Sequence, residues 1–205
     1  MSKRFDNRSV DTFKRDIKFG TQLERYFFRE WIGKILDDPC VRITDWDNNG
    51  CDNDGGFIAH GDTSGADFKI SGTLNYYDMK RPKQMTDWPI ELKWVPTAGK
   101  LTLKEADLKA YVREEANILF IYNTGKANLR KPKDYNLDRH IKNIENNADY
   151  LRYGIMWHWD VKKLYREAKR KDLFQPISYM GNKSGIVIPQ NQFKWYFSEK
   201  KWTTK

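Results

Sequence analysis

The feature that most constrains the fold is an unbroken apolar run at residues 118–122, Ile-Leu-Phe-Ile-Tyr. A run this short, followed at once by Asn123, Thr124 and Gly125, predicts a strand that is buried on both faces. It follows a helical segment, which we predict to begin at a capping box formed by Thr102 and Glu105. Strands buried on both faces and separated by helices are typical of layered α/β folds.

The remaining patterns extend this layer. An arm or short helix is predicted at residues 10–18, and a helix opens at a second capping box, Thr21 with Glu24, and ends before Pro39. An exposed loop rich in Asp, Asn and Gly is predicted at 45–56, and a polar link at 77–88. Further strands are predicted at 41–44, 57–60, 67–74 and 90–95, helices at 136–153 and 160–171, and a hairpin that joins 177–180 to 186–188.

This order of elements predicts an α/β fold with a mixed central sheet flanked by helices. The length favours a single domain spanning residues 1–205. We expect its core at about 21–125, with a basic helical and hairpin extension at about 126–205.

The charge of the chain is unevenly distributed. Its 37 Lys and Arg residues against 28 Asp and Glu give a net charge of +9, yet 18 of the basic and only 8 of the acidic residues lie from Lys126 onward. This asymmetry indicates a polyanionic partner, although a solubilising Lys-rich surface would look the same. In one short basic helix, the predicted phosphate contacts are Lys162, Lys163, Arg166, Lys169 and Arg170. Aromatic residues near the end of the chain, Trp195, Tyr196 and Trp202, are expected either to stack on bases or to pack on the core.

Composition excludes several classes of protein. The mean hydropathy of −0.85 and the short apolar runs argue against a membrane span, and no secretory signal follows the basic N-terminus. Two cysteines, Cys40 and Cys51, fit a reduced thiol pair, so we expect a cytoplasmic protein. The three histidines have no spacing typical of a zinc site.

Three residues carry the predicted chemistry: Asp67, Glu91 and Lys93. Strand alternation places Glu91 and Lys93 on one face of the strand at 90–95, and Asp67 on the corresponding face of the strand at 67–74. If these strands pair, the two carboxylates meet with the lysine beside them. Two carboxylates with water suit Mg²⁺, for which Mn²⁺ can substitute, and such a metal activates water and neutralises charge on a phosphate.

The residues Ala66, Asp67 and Phe68, followed by Glu91, Leu92 and Lys93, resemble the motif of the PD-(D/E)XK, or restriction-endonuclease-like, nuclease superfamily. The resemblance covers residues 21–122, with Ala66 where the family usually has Pro and a long interval before Glu91. It implies a metal-dependent nuclease with Asp67, Glu91 and Lys93 as catalytic residues. The implied metal ligands are Asp67, Glu91, Leu92 and Glu24, and Lys100 and Lys104 are expected to contact phosphate.

Alternatives stay open at this point. Glu24 lies on the helical stripe of Phe28 and Trp31, where it either faces the metal or only closes its capping box. Glu91 and Lys93 would also suit an ion pair on a solvated sheet face. We expect an enzyme that cleaves DNA, of the restriction, junction-resolving or repair type. The alternative is a nucleic-acid-binding protein without activity, and a homodimer is one arrangement that the sequence allows.

Overall fold

The computed structural model describes residues 9–35, 41–48, 65–75, 81–97, 99–178, 183–189, 191–192 and 198–201. Several features predicted from the sequence lie outside these ranges. They are the strand at 57–60, most of the loop at 45–56, the two cysteines, and the aromatic residues Trp195, Tyr196 and Trp202.

Most described strands form one six-stranded mixed sheet, in the order β1-β2-β3-β5-β6-β9. These strands are β1 (Val41–Asn48), β2 (Phe68–Leu74), β3 (Lys83–Val95), β5 (Asn117–Asn123), β6 (Leu151–Met156) and β9 (Ser198–Lys201). A second, antiparallel sheet has the order β4-β8-β7 and contains β4 (Lys100–Lys104), β7 (Gln175–Ile177) and β8 (Lys183–Pro189). The described helices are α1 (Val10–Ile35), α2 (Glu105–Glu114), α3 (Leu137–Asn146) and α4 (His158–Arg170), with a 3₁₀ turn at Ala148–Tyr150.

The pair β3 and β5 is parallel, whereas the other neighbours in the main sheet are antiparallel. Parallel neighbours require a crossover, and here the crossover consists of β4 followed by α2. The mixed sheet flanked by helices that the sequence predicts is therefore confirmed. The part of the chain after Lys126 contributes β6 and β9 to this same sheet.

Strand β5 is buried along its whole length because each face of the sheet is covered. Leu119 and Ile121 join the core formed with α1 and α3. Ile118 and Phe120 join the core formed with α2, α4 and the second sheet. The strand predicted from the unbroken apolar run is confirmed, and the run needs no polar alternation because neither face meets water.

Helix α1 is continuous over 26 residues, so the predicted start at Thr21 is wrong. The backbone N–H of Thr12 donates to Ser9 Oγ at 3.1 Å, so the N-terminal cap is Ser9, twelve residues before the predicted cap at Thr21. Thr21 is buried inside the helix. Among the described residues, no helix is both long and apolar enough to span a bilayer.

Four other boundaries differ from the prediction. Thr102 lies in β4, and α2 begins only at Glu105, with no side-chain cap from Lys104. The helix predicted at 136–153 ends at Asn146, and β6 follows it. The links predicted before β3 and after residue 44 are partly strand, since β3 begins at Lys83 and β1 continues to Asn48.

Stability should fall as the pH is lowered from 7.5 to 5.5, because burial lowers the pKa of His140 from its usual value near 6.5. This side chain on α3 is buried beside the Phe19 ring, at 5.5 Å between ring centroids. Below pH 6.5 the unfolded chain takes up a proton that folded His140 resists, so protonation favours unfolding. Urea unfolding of the wild type and of His140→Leu at both pH values should show a smaller pH effect in the variant.

The variant should keep part of the effect, because burial also lowers the pKa of His158. Equal losses of stability in the two proteins would show that His140 does not contribute.

Candidate active site

A cleft of about 870 Å³ opens where β2 begins and β3 continues past it. The pairing of β2 with β3 starts at Phe68 opposite Ile90, so the next residues of β3 extend beyond the start of β2. Side chains from α1, the segment before β2, β3, the β4–α2 crossover and β8 line this cleft. The polar ones include Thr21, Glu24, Asp67, Glu91, Lys93, Lys104, Glu105, Asp107, Lys109, Tyr111, Lys183 and Ser184.

Glu91 and Lys93 form a buried pair at the base of the cleft. Glu91 is only 4% exposed, and its Oε1 contacts the Lys93 ammonium. Its other oxygen, Oε2, accepts a hydrogen bond from the backbone N–H of Asp67 at 3.3 Å. A carboxylate this deeply buried requires such compensation, since removing an ion from water is costly. The two side chains do form an ion pair, but the alternative of a solvated sheet face is wrong, because Glu91 is buried.

The surroundings of Lys93 determine its charge. Burial by itself would lower the pKa of Lys93, but the neighbouring Glu91 carboxylate, with smaller contributions from Tyr111 and Asp107, more than offsets it. The pKa of Lys93 is thus held well above its usual value, and the side chain stays a cation at neutral pH. The site has a fixed positive charge directly beside its most buried carboxylate.

Tyr111 is a cleft residue that the sequence analysis missed. It is 2% exposed, its ring centroid lies 5.7 Å from Lys93 Nζ, and its hydroxyl hydrogen-bonds to Lys93. Burial is the main cause that raises the pKa of Tyr111 well above its usual value, so the phenol stays neutral. From sequence alone, an aromatic residue on the buried face of a short helix is predicted to be a core residue. Only the fold shows that the hydroxyl of Tyr111 reaches the cleft.

Asp67 and Glu24 also face the cleft, as the sequence predicted. The backbone N–H of Ala66 donates to Glu114 Oε2 at 3.0 Å, which ties the segment before β2 to the end of α2. Phe28 stacks on Phe68 with 3.8 Å between ring centroids. Because Glu24 precedes Phe28 by one helical turn, the same packing carries it to the start of β2. The capping-box alternative for Glu24 is wrong, since α1 does not begin at Thr21.

Leu92 is buried at 1% exposure in the core on the opposite face of β3. Its side chain carries no ligand atom, so only its backbone carbonyl could serve a metal, as the resemblance implies. The Glu91–Leu92–Lys93 segment lies beyond the start of β2 and pairs with β5 on its other side.

The predicted basic residues separate into two groups. Lys104 lines the cleft and pairs with Asp107 at 3.4 Å. Lys100 is exposed on β4 and does not line it. The predicted residues of α4 are all exposed and lie outside the cleft lining: Lys162, Lys163, Arg166, Lys169 and Arg170.

Two further cleft lysines, Lys109 on α2 and Lys183 on β8, were not predicted. Both side chains are exposed. Beside Lys183, Ser184 Oγ donates to Glu105 Oε2 at 2.6 Å and joins β8 to the first turn of α2. We call Lys104, Lys109 and Lys183 the basic wall of the cleft. No sequence pattern links them, since β8 pairs with β4 across a separation of about 80 residues, at Lys104 opposite Gly185.

The donor chemistry of the cleft fits Mg²⁺. The acidic residues near the start of β2 that line the cleft are Glu24, Asp67 and Glu91. Carboxylate oxygens are the protein ligands that this ion prefers. Within the described part of the chain, no three His, Cys, Asp or Glu residues cluster closely enough to hold a metal by themselves. Protein sites for Mg²⁺ commonly supply one or two carboxylates and leave the remaining positions to water and substrate phosphate. The arrangement is therefore compatible with a metal shared with a substrate.

Comparison with known proteins gives no relative from which a role could be transferred. No protein-family model, no curated protein and no solved structure matches this chain.

Proposed function

We propose that the protein is a metal-dependent deoxyribonuclease that hydrolyses phosphodiester bonds, built on a restriction-endonuclease-like core. One observation carries the proposal: carboxylates from three separate parts of the chain, Glu24, Asp67 and Glu91, line one cleft together with Lys93. Each of these carboxylates offers oxygen atoms of the kind that Mg²⁺ prefers, and Lys93 places a cation beside Glu91. Carboxylates can hold a metal ion that activates water, and a lysine can offer a point charge to a phosphate.

Asp67 and Glu91 would hold Mg²⁺, with Glu24 and the Leu92 carbonyl as further oxygen ligands. The ion would supply water activation and neutralise charge that develops on the phosphate. Glu91 already has a cation against one oxygen, because Lys93 contacts its Oε1. A metal ion at Glu91 would share this carboxylate with Lys93 and with the backbone N–H of Asp67.

Lys93 is suited to stabilise the extra negative charge of the pentacovalent phosphate. It points into the cleft from β3, two residues after Glu91 and on the same face of the strand. Tyr111 limits the positions of its ammonium group through the hydrogen bond between them. A charge that is fixed before the reaction lowers the barrier more than one that must reorganise during it.

DNA is the proposed substrate because Lys104, Lys109 and Lys183 line the same cleft as these carboxylates and can contact phosphates. The double variant Lys109→Ala/Lys183→Ala should weaken DNA binding and reduce its dependence on salt. Each lost phosphate contact lowers the slope of log K against log salt by about 0.9 for duplex DNA. Titrations by fluorescence anisotropy at several salt concentrations, in EDTA, measure both quantities.

A matched control is Lys133→Ala/Lys142→Ala, which removes the same charge from exposed positions outside the cleft lining. If the control reduces the slope as much as the cleft variant does, the basic wall has no special role.

The deciding experiment is a cleavage assay with Mg²⁺ or Mn²⁺ on linear, circular, branched and single-stranded DNA. Cleavage of any of these that EDTA abolishes supports the proposal, and the preferred shape distinguishes a restriction enzyme from a junction-resolving or repair nuclease. The second candidate is a nucleic-acid-binding protein without activity, which is favoured by the engagement of both Glu91 oxygens inside the protein. That candidate predicts salt-dependent binding, no cleavage and no effect of metal.

A further inference from the structure

A second feature lies outside the cleft, at the start of α4. Four aromatic side chains meet there: Trp88, Trp157, His158 and Trp159. His158 packs edge-on against Trp88 at 5.4 Å and against Trp159 at 4.7 Å between ring centroids. Trp157 stacks on Trp159 at 5.7 Å, with 26° between the ring planes. We call these four residues the aromatic cluster, and none of them lines the cleft.

The rings of the cluster pack against one another, yet the cluster reaches solvent. Trp157 is buried, whereas Trp159 is 39% exposed, one of the few large apolar side chains in the described residues with such exposure. The Trp159 indole also hydrogen-bonds to the Asp160 carboxylate, so the ring has a defined orientation. An exposed aromatic ring held from behind by a second ring offers a flat surface at little cost in conformational entropy.

Basic side chains continue from Trp159 along α4. Lys162, Lys163 and Arg166 follow it at intervals of three, four and seven residues, so all lie on one helical face and all are exposed. The opposite face is buried through Val161, Leu164 and Ala168. At the other side of the cluster, Lys83 Nζ lies 4.7 Å from the centroid of the Trp88 ring. The aromatic surface is thus bordered by cations on two sides.

We propose that the aromatic cluster and the outer face of α4 bind a single-stranded segment of DNA, with a base stacked on Trp159 and phosphates beside Lys162, Lys163 and Arg166. The choice of DNA as the polymer rests on the proposed function. An aromatic surface within a basic stripe matches the alternation of bases and charged phosphates along a single strand. A duplex hides its base faces in its own stack, so it can use the basic stripe but not the ring.

The test measures binding of a fluorescently labelled oligothymidine and of a labelled duplex in EDTA, where cleavage cannot occur. Trp159→Ala should weaken binding of the single strand by about fivefold or more and change duplex binding much less. Trp159→Phe, which keeps an aromatic face, should retain most of the affinity, whereas Trp159→Leu should lose it. Tyr150→Ala removes a comparably exposed aromatic ring outside the cluster and should have no effect.

Two results would overturn the inference: unchanged single-strand binding in Trp159→Ala, or an equal loss for single strand and duplex. Unchanged binding is also what a protein-binding surface at this position predicts. This binding test is independent of the cleavage test of the proposed function, because it measures equilibrium binding without metal. If the wild type cleaves DNA and Trp159→Ala binds the single strand normally, the nuclease proposal stands and the stacking surface is rejected. If Trp159→Ala loses single-strand binding and the wild type cleaves no DNA, the stacking surface stands and the nuclease proposal is rejected.

Discussion

Replacing Glu91 by Gln should lower the rate of metal-dependent DNA cleavage by about a thousandfold or more. The amide keeps the size of the side chain but removes the charge that contacts Lys93 and that would hold the proposed metal. Metal-ion stabilisation of a phosphate transition state contributes several kcal/mol, and each 1.36 kcal/mol is a factor of about ten in rate. Binding of DNA in EDTA should not weaken, since removing a negative charge from the cleft reduces repulsion of phosphates. Single-turnover cleavage and anisotropy titrations measure the two effects separately.

Glu30→Gln is the matched control, because this exposed glutamate also lies on a described element but outside the cleft lining. It should cleave at the wild-type rate. Cleavage by Glu91→Gln within about tenfold of the wild type would contradict the role of Glu91. A loss of binding in EDTA would instead point to a disturbed fold, which circular dichroism and urea unfolding would detect.

Replacing Phe28 by Ala should destabilise the protein by about 3–5 kcal/mol, the range for truncating a fully buried Phe. Phe28 has no exposed surface and stacks on Phe68 at the start of β2. Its loss leaves a cavity at the contact that fixes α1 on the main sheet. Urea unfolding followed by circular dichroism gives the change in free energy of unfolding, and the midpoint should fall sharply.

Gln22→Ala tests whether changes in α1 helix propensity matter, because Gln22 is exposed on the same helix. Its effect should stay within about 0.5 kcal/mol. A loss of less than about 1 kcal/mol in Phe28→Ala would mean that α1 repacks on β2 without this ring. In that case the packing of Phe28 on Phe68 would not be what places Glu24 at the cleft.

The strands that were predicted correctly are those whose own pattern decides their structure. Strand β2 alternates between buried and half-buried residues, and β5 is apolar throughout. Both patterns follow from which faces meet the core. Strand β6 gives no comparable local signal, and it forms because its residues pair with β5, as Leu119 does with Ile155. A single sequence does not show such a partner.

Capping boxes misled the prediction twice for the same reason. The pattern of Thr followed three residues later by Glu is typical of a helix N-terminus, but it also occurs by chance in other elements. Thr21 lies inside α1 because the helix is already capped at Ser9. Thr102 lies in β4 because this strand pairs with β8, with Thr102 opposite Val187. Long-range pairing outweighs a local preference of about 1 kcal/mol.

The candidate site was predictable only in part. Glu91 and Lys93 stand out because they interrupt the mostly apolar segment 89–95 of β3, and Asp67 because it directly precedes β2. Tyr111 and Lys183 give no such signal, since a buried tyrosine and an exposed lysine are ordinary at their positions. Their place in the cleft depends on α2 crossing beside β3 and on β8 pairing with β4. These arrangements are set by the whole fold and not by neighbouring residues.

The parallel pairing of β3 with β5 has a consequence for the order in which the protein is assembled. Glu24, Asp67 and Glu91 are all present once the ribosome has made the first 95 residues, but Tyr111 and the partner strand of Glu91, at Ile118, are not. Non-local pairings of this kind form slowly because the intervening chain must first be ordered. Nascent chains therefore carry the acidic residues before the cleft exists, and the cleft is complete only after the crossover and β8 have formed.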